Sequence, residues 1–288
     1  MSRPTLDVAT AAVQRLPNLS GSTRQLLGYL NDESVELKII VRAIECDQGL
    51  TIGLLRVANS PFYGMPNKVQ TIHDAVVLLG FSNLRMIIVA TMASSLQFPN
   101  LGAGTDVRTL FRHGLAVAIS ASVVARSNAL DTSALFLAGI LHDVGVLALM
   151  STYPELHQEA RQLAARDGLS MYEAERAVFG FDHADIGASL CRHWYLPEPI
   201  VQAIGAHHQV GRVREGVSSL APAELAAGVV CVADAMAHRL NLENQPRAVL
   251  PPVAEVVWNR LVGSQERLLA SLAEIEKLYQ ELAVLIVL

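Results

Sequence analysis

Histidine and aspartate residues in the second part of the chain have the chemistry of divalent-metal ligands, because imidazole nitrogen and carboxylate oxygen both coordinate such ions. The candidates for a first metal position are His113, the adjacent His142 and Asp143, and Asp234. His183, His207 and His208 could complete a second metal position. The same three histidines could instead lie at helix ends, facing solvent or the core. The residue types alone leave both alternatives open.

The pair His142 and Asp143 directly follows an apolar run, residues 134–141, which predicts a buried helix. Burying an unpaired polar group costs on the order of a few kcal/mol, and burying a lone carboxylate costs more. Either a metal ion or a closed hydrogen-bond network, in which the carboxylate holds the imidazole, must therefore satisfy the pair. Gly145 lowers helix propensity by about 1 kcal/mol relative to alanine. We therefore expect a neighbouring helix to approach closely there.

A second His-Asp pair, His73 and Asp74, has a structural explanation. Thr71 stands where a helix N-cap would, and Asp74 follows it by three residues. The helix dipole favours an acidic side chain in the first turn. We therefore expect a helix start rather than a metal site at this pair, and Gly80 predicts the end of that helix.

Apolar residues recur at spacings of three and four along most of the chain, whereas the alternating pattern typical of strands is scarce. This spacing predicts an all-α helical bundle. A loop at 98–104 separates a first part, residues 1–104, from a second part, residues 105–240, that holds every histidine except His73. Residues 241–288 then form a predicted carboxy-terminal helical extension.

The carboxy-terminal extension carries an apolar stripe that must pack on another surface. The residues of the stripe follow alternating spacings of four and three: Leu268, Leu272, Ile275, Tyr279, Leu282 and Ile286. We expect the stripe to dock on the chain's own domain, because only about three heptads are present. A homodimer seam is the alternative.

Composition narrows the function classes. Hydrophobic residues make up 51% of the chain, which favours a large core over disorder. The net charge of −5 argues against nucleic acid as a partner. The three cysteines lie far apart without CxxC spacing, so we expect reduced, mostly buried thiols. Neither a secretion signal nor an uninterrupted apolar span is evident, which predicts a cytoplasmic protein that does not engage a membrane.

The order of the candidate ligands resembles a known family. His113, His142-Asp143 and Asp234 are similar to the H…HD…D ligand series of the HD superfamily of metal-dependent phosphohydrolases. Within that superfamily the sequence most resembles the HDOD family, the HD-related output domain of bacterial signalling proteins, over residues 16–238. The stretches that carry the resemblance are Leu16-Pro17, Leu54 to Ser60 with Phe62 and Gly64, Ala75 to Gly80, Leu137 to Gly145, Asp182-His183 with Gly187, Trp194 with Leu196-Pro197, and Ala203 to His208.

The resemblance implies an all-α fold in which an amino-terminal helical subdomain packs on an HD-like helical subdomain. It also implies a signal-transduction output module, non-catalytic, that binds a signalling protein partner or a small effector. The alternative is a metal-dependent phosphohydrolase or phosphodiesterase that acts on a nucleotide or cyclic di-nucleotide. A divalent metal ion of unspecified type is the candidate cofactor, and a hydrogen-bonded core pair without metal remains the alternative.

Two departures bear on catalysis. The related HD-GYP phosphodiesterases carry a lysine three residues after the aspartate of the His-Asp pair, where this chain has Val146. Those enzymes also follow their double histidine with glutamate and a Gly-Tyr-Pro signature. Here Gln209 follows His208, and Gly-Tyr-Pro occurs nowhere in the chain. The hydrolytic apparatus is therefore expected to be incomplete even if the metal ligands persist, which favours a protein that is not an enzyme.

Overall fold

The computed structural model describes residues 3–14, 25–26, 29, 35–59, 68–80, 84, 107–210, 220–242, 249–250 and 252–283. Every regular element among these residues is a helix, which confirms the predicted all-α fold. By their internal contacts the residues of the chain form two units. The larger unit comprises Met1–Leu16 and Phe98–Glu276, and the smaller unit comprises Pro17–Gln97 and Lys277–Leu288.

Each unit is made of two segments that are not consecutive in the sequence. The helix Leu6–Val13 belongs to the larger unit because it packs on Val144–Thr152 and His183–His193. The helix Glu255–Leu261 belongs there as well, since it packs on Pro222–Leu240. The division into 1–104, 105–240 and 241–288 stays a prediction, and the loop at 98–104 lies outside the described residues.

The helices are numbered in chain order. They are α1 (Leu6–Val13), α2 (Leu37–Glu45), α3 (Gln48–Ala58), α4 (72–80), α5 (Val107–Ser127), α6 (Thr132–Leu141), α7 (Val144–Thr152), α8 (Pro154–Asp167), α9 (Met171–Phe179), α10 (His183–His193), α11 (Glu198–Ala206), α12 (Pro222–Leu240), α13 (Glu255–Leu261) and α14 (Gln265–Ala283).

The core of the larger unit is built around α5, which packs on α6 and α12. The helix α11 contacts α10, α12 and α6, and α10 also crosses α7. This last crossing occurs at Gly145, where the backbone of α10 leaves no room for a side chain. The close approach predicted from this glycine is therefore confirmed.

Residues Thr132–Thr152 are long and apolar enough to cross a membrane, with a mean hydropathy of 1.9. This stretch is the only one of its kind among the described residues. It is 61% buried inside the structure, and buried core helices of water-soluble proteins have the same length and composition. The stretch on its own is therefore weak evidence for a membrane span.

The smaller unit contains α2, α3 and α4. The side chain of Asn59, at the end of α3, donates to the carbonyl of Val69 at 2.8 Å and accepts from the amide of Val69 at 2.7 Å. Thr71 Oγ1 accepts from the amide of Asp74 at 3.0 Å, and Gly80 has a φ of +70°, so the predicted cap and end of α4 are confirmed. Most of the irregular segment between Asn59 and Val69 lies outside the described residues.

Three of the four stripe residues that the structure describes are buried within a single chain, and the fourth, Leu268, is half-buried. Leu272, Ile275 and Tyr279 are 8%, 0% and 4% exposed. In the larger unit, the amino-terminal part of α14 is also tied to the end of α5 by an ion pair between Arg126 and Glu274. The homodimer alternative stays a prediction.

The three cysteines are reduced, as expected from their spacing. Cys191 and Cys231 are buried, whereas Cys46 is exposed. The prediction of mostly buried thiols is therefore confirmed for two of the three.

Candidate metal centre

The larger unit brings all seven predicted ligand residues together. They come from five places in the fold: His113 from α5, His142 and Asp143 from the α6–α7 turn, His183 from the start of α10, His207 and His208 from the end of α11, and Asp234 from α12. The six residues other than Asp143 are at most 8% exposed. His183, His207 and His208 therefore do not face solvent, and both a metal position and helix-end histidines that face the core remain as alternatives.

Two histidines of the first predicted position approach the same oxygen of Asp234, and Asp143 lies beside one of them. His113 Nε2 lies 3.0 Å from Asp234 Oδ1, although 121 residues separate the two in the chain. His142 Nε2 lies 4.0 Å from the same oxygen and 3.3 Å from Asp143 Oδ2. The order of residues in the sequence therefore corresponds to a real cluster in space.

Asp143 stands at the N-cap position of α7, where an aspartate usually accepts a hydrogen bond from a backbone amide. Its side chain makes no such bond. Its two oxygens instead lie 3.3 Å from His142 Nε2 and 3.3 Å from His183 Nε2. Asp143 therefore joins the first predicted position to the second.

The second predicted position contains His183, His207 and His208. The Nε2 atoms of His183 and His208 lie 2.8 Å apart, and the ring centroids of His207 and His208 lie 3.9 Å apart. A ligand atom from each of the three rings lies within 4.8 Å of the others, close enough to share one ion. Occupancy of this position by a metal stays a prediction.

Three of the rings are held from outside the cluster through Nδ1. His142 Nδ1 lies 2.8 Å from the Gly139 carbonyl and His207 Nδ1 lies 2.6 Å from the Ile204 carbonyl. A carbonyl only accepts, so both Nδ1 atoms donate. His183 Nδ1 lies 2.6 Å from Glu175 Oε2. Metal-bound histidines commonly have their second ring nitrogen held by a carbonyl or carboxylate in this way, with the first nitrogen aimed at the ion.

The start of α10 is fixed by its own sequence. Asp182 is the N-cap, and its carboxylate accepts from the amides of Ala184 and Asp185. Arg176 Nη1 donates to Asp182 Oδ2 at 2.7 Å. These contacts hold the first residue of α10, His183, against the buried carboxylate of Glu175.

The two aspartates of the cluster are ionised. Burial by itself raises the pKa of the Asp143 carboxyl, but the charge of the neighbouring His142 lowers this pKa well below its usual range. Burial likewise raises the pKa of Asp234, but the hydrogen bond and charge of His113 lower it below its usual range. The cluster therefore offers two carboxylates to a cation.

The histidines of the second position differ in charge. Burial, reinforced by the neighbouring imidazoles, lowers the pKa of His207 to about 4. Burial also lowers the pKa of His183, but the Glu175 carboxylate outweighs it and raises this pKa to about 10. Without a metal, His207 is neutral and His183 holds a second proton on the nitrogen that faces Asp143.

The donor set fits a divalent cation. His207 Nε2 is buried and has no hydrogen-bond partner among the described residues. Because Nδ1 of His142 donates outward, its Nε2 carries a lone pair when the ring is neutral, and that lone pair faces the carboxylates of Asp143 and Asp234. Such a contact is repulsive unless a proton or a metal ion lies between the atoms. The residues present therefore match the requirements of a bound metal.

Two residues that contact this cluster, Glu175 and His238, were not predicted from the sequence. Glu175 is 0% exposed, because it shares a helix face with two buried aromatic residues, Tyr172 and Phe179. These residues lie three positions before it and four positions after it. A carboxylate on an apolar face was the signal that could have found it. His238 Nε2 lies 3.4 Å from Asp234 Oδ1, and its four-residue spacing from Asp234 was the corresponding signal.

The structure also contains the two positions, Val146 and Gln209, at which the sequence departs from the HD-GYP enzymes. Val146 is half-buried, and its amide donates to the carbonyl of Asp143 at 2.9 Å. Gln209 lies in the turn after α11, where it is exposed and its side chain lies 3.5 Å from the Gly205 carbonyl. The pair at His73 and Asp74, in the smaller unit, is more than half exposed, with 3.7 Å between its nearest side-chain atoms.

A comparison with protein families matches the HDOD domain to residues 16–210. The chain belongs to the HDOD family. The match covers every described ligand candidate except Asp234 and His238, and it confirms the resemblance seen in the sequence.

Solved structures support the fold of this HDOD chain. An HDOD domain protein of unknown function from Geobacter sulfurreducens is 24% identical with a TM-score of 0.72, covering 98% of this chain and 100% of its own. A candidate phosphohydrolase from Shewanella amazonensis SB2B is 25% identical with a TM-score of 0.72, covering 96% of this chain and 97% of its own.

A curated relative is an uncharacterized protein of Treponema pallidum (strain Nichols). It is 26% identical over 208 residues, which amount to 70% of this chain. The match spans only 39% of the relative's own length.

Proposed function

We propose that this HDOD chain is a non-catalytic signal-transduction output module. It acts in the cytoplasm and binds a signalling protein partner or a small effector. The observation that carries the proposal is the burial of the cluster: His142 is 1% exposed, His207 0% and His183 4%. Burial of the ligands favours a structural role, because a catalytic metal must keep one coordination position accessible to water or substrate.

The cluster gives such a module a rigid centre. Its side chains come from α5, the α6–α7 turn, α10, α11 and α12, so they link five parts of the larger unit. The contacts between His113 and Asp234 and between His183 and Asp143 join segments that are distant in sequence. Displacement of one helix by a bound partner would therefore be transmitted to the others, because packed cores shift between discrete arrangements.

His113, His142, Asp143 and Asp234 would hold a divalent metal ion at this centre, with His183, His207 and His208 as a second position. When bound, the ion supplies positive charge to balance the two carboxylates and accepts the lone pairs of the imidazoles. The protein residues orient the ligands: Gly139 and Ile204 fix His142 and His207 through their carbonyls, as Glu175 fixes His183.

Val146 further supports a non-catalytic role. It is an apolar residue three positions after Asp143, where the HD-GYP enzymes carry a lysine. A cation at that position would help to bind a phosphate group. Val146 offers no charge and no hydrogen-bond donor from its side chain.

The test is a turnover assay on the full chain loaded with Mn²⁺, Fe²⁺ or Zn²⁺. Cyclic di-nucleotides and a generic phosphodiester serve as substrates, with Asp143→Ala as the paired variant. We expect no metal-dependent turnover by the wild-type chain. A thermal-shift screen of nucleotides and a pulldown with the wild-type chain then identify an effector or a protein partner, and failure of both would leave the module without a ligand and contradict the proposal.

The second candidate is a metal-dependent phosphohydrolase or phosphodiesterase acting on a nucleotide. The complete ligand series supports it, as does the side chain of Asp143, which is 24% exposed and so is the most accessible member of that series. The phosphohydrolase assignment of the Shewanella amazonensis protein points the same way. Metal-dependent turnover that disappears in Asp143→Ala would establish this candidate and overturn the output module.

A further inference from the structure

We infer that His238 is an additional ligand of the metal centre and that it makes the first position selective for a transition-metal ion over Mg²⁺. The inference rests on the proposed metal occupancy of that position. It adds a residue outside the H…HD…D series, so the ligand set of this chain is larger than that series.

The position of His238 follows from helix geometry. Residues four apart on a helix lie on the same face, and His238 follows Asp234 by four residues on α12. Its Nε2 atom lies 3.4 Å from Asp234 Oδ1. Ligand pairs at this spacing can present both of their donor atoms to one ion, as two histidines four residues apart do in zinc enzymes. The carboxylate and the imidazole therefore form a bidentate unit on one helix.

His113 brings a third donor to the same point from α5. Its Nε2 atom lies 3.0 Å from Asp234 Oδ1, and its ring centroid lies 4.5 Å from that of His238. The three ligand atoms lie within 4.8 Å of one another. The 3.4 Å between His238 and Asp234 exceeds the roughly 2.7–3.2 Å of an ordinary N–H···O hydrogen bond. The three donor atoms are spaced so that one cation could contact all of them.

The donor chemistry determines the kind of ion. His113, His142 and His238 contribute imidazole nitrogens, which suit zinc, iron, copper and nickel ions. Mg²⁺ prefers oxygen ligands and retains several waters, so it gains little from such a set. The His238 side chain is 29% exposed, against 10% for His113 and 1% for His142, so this ligand lies nearest to solvent.

The test measures Co²⁺ binding by the full chain after removal of metal with a chelator. Calorimetry gives the dissociation constant, and the d–d absorption of Co²⁺ reports the ligands around it. We expect His238→Gln to weaken Co²⁺ binding at least about tenfold and to change the absorption spectrum. His193→Gln, at an exposed histidine near the end of α10, is the matched control and should change neither. Excess Mg²⁺ should not displace the Co²⁺.

The outcomes separate this inference from the proposed metal centre. If the wild-type chain binds Co²⁺ and His113→Gln abolishes binding, but His238→Gln matches the wild type, His238 is not a ligand and the centre stands. If Mg²⁺ displaces Co²⁺, the selectivity is wrong. If the wild-type chain binds no Co²⁺, both the centre and this inference are overturned. Circular dichroism checks that each variant is folded, and His238→Asn replaces His238→Gln if the latter is not.

Discussion

A Cβ atom on Gly145 would lie 1.9 Å from the carbonyl oxygen of His183. The clash is with backbone, which cannot rotate aside as a flexible side chain can. Any residue other than glycine at this position would therefore force α7 and α10 apart. The same movement would pull His183 away from Asp143, which lies 3.3 Å from it.

We expect Gly145→Ala to lower the free energy of unfolding by about 3 kcal/mol or more, as overpacking against a fixed backbone does. Urea denaturation of the metal-free chain measures the loss. The matched control is Gly187→Ala at the same helix crossing, where an added Cβ would lie 3.4 Å from its nearest neighbour, an ordinary contact. Its loss should be no more than about 1 kcal/mol. Equal losses in the two variants would contradict the proposed role of the crossing.

The second prediction concerns Glu175. Its Oε2 atom accepts from the backbone amide of His183 at 2.9 Å and contacts the Nδ1 atom of the same residue at 2.6 Å. Glu175→Gln removes the charge at nearly constant volume. We expect the free energy of unfolding of the metal-free chain to fall by about 2 kcal/mol, because a charge-assisted buried hydrogen bond is lost. Metal affinity should fall roughly 10–100-fold, as for other residues that orient a ligand.

Nuclear magnetic resonance of the His183 ring nitrogens separates positioning from a general loss of stability. In the metal-free wild-type chain both ring nitrogens should carry a proton at neutral pH, whereas loss of the Glu175 charge should lower the pKa of His183 and let one ring nitrogen lose its proton. Glu155→Gln, at an exposed glutamate in the first turn of α8, is the control and should change neither the ring nor the stability. An unchanged His183 ring in Glu175→Gln would show that Glu175 does not position it.

The fold was predictable because helix periodicity is a local property. Apolar residues at spacings of three and four predicted the all-α fold. Thr71 predicted a helix cap, Gly80 a helix end and Gly145 a close helix approach, and the structure contains all three. The grouping of α1 with the larger unit was not predictable. It depends on packing against α7 and α10, which lie more than a hundred residues away in the sequence.

The sequence predicted which residues could form the site but not which of them contact each other. The sequence indicated His113 and Asp234, yet their 3.0 Å contact depends on how α5 packs on α12. Glu175 was missed because an acidic residue in an amphipathic helix normally faces solvent, and its burial became evident only in three dimensions. His238 was missed because a ligand series carried over from a family contains only the residues of that family.

The third prediction tests how the carboxy-terminal stripe is buried. Ile275 is 0% exposed within one chain, so Ile275→Ala should lower the free energy of unfolding by about 2–5 kcal/mol. Leu269→Ala is the control on the same helix, because Leu269 is 56% exposed and its truncation should stay within about 0.5 kcal/mol. Denaturation at several protein concentrations distinguishes the alternatives: a cost that changes with concentration would indicate a homodimer seam.

The last prediction concerns thiol reactivity, which follows the thiolate form. Burial raises the pKa of Cys191 and of Cys231 to about 12 in each case. At pH 8 both thiols are therefore protonated and shielded from reagent, whereas Cys46 is exposed. We expect a disulfide reagent to label one thiol quickly in the folded chain and all three in denaturant, and Cys46→Ser to abolish the fast phase.

The raised pKa values of Cys191 and Cys231 also predict how the stability of the folded chain changes with pH. Unfolding returns Cys191 and Cys231 to an ordinary pKa of about 8.5. Because their pKa is raised in the folded chain, their contribution to stability is complete below that value and is lost as the pH rises towards about 12. Replacing both residues with alanine should therefore flatten the decline in the urea midpoint above pH 9. Fast labelling of two or three thiols in the folded wild-type chain would show that the helices carrying Cys191 and Cys231 open readily, which the buried packing of α10 and α12 does not allow.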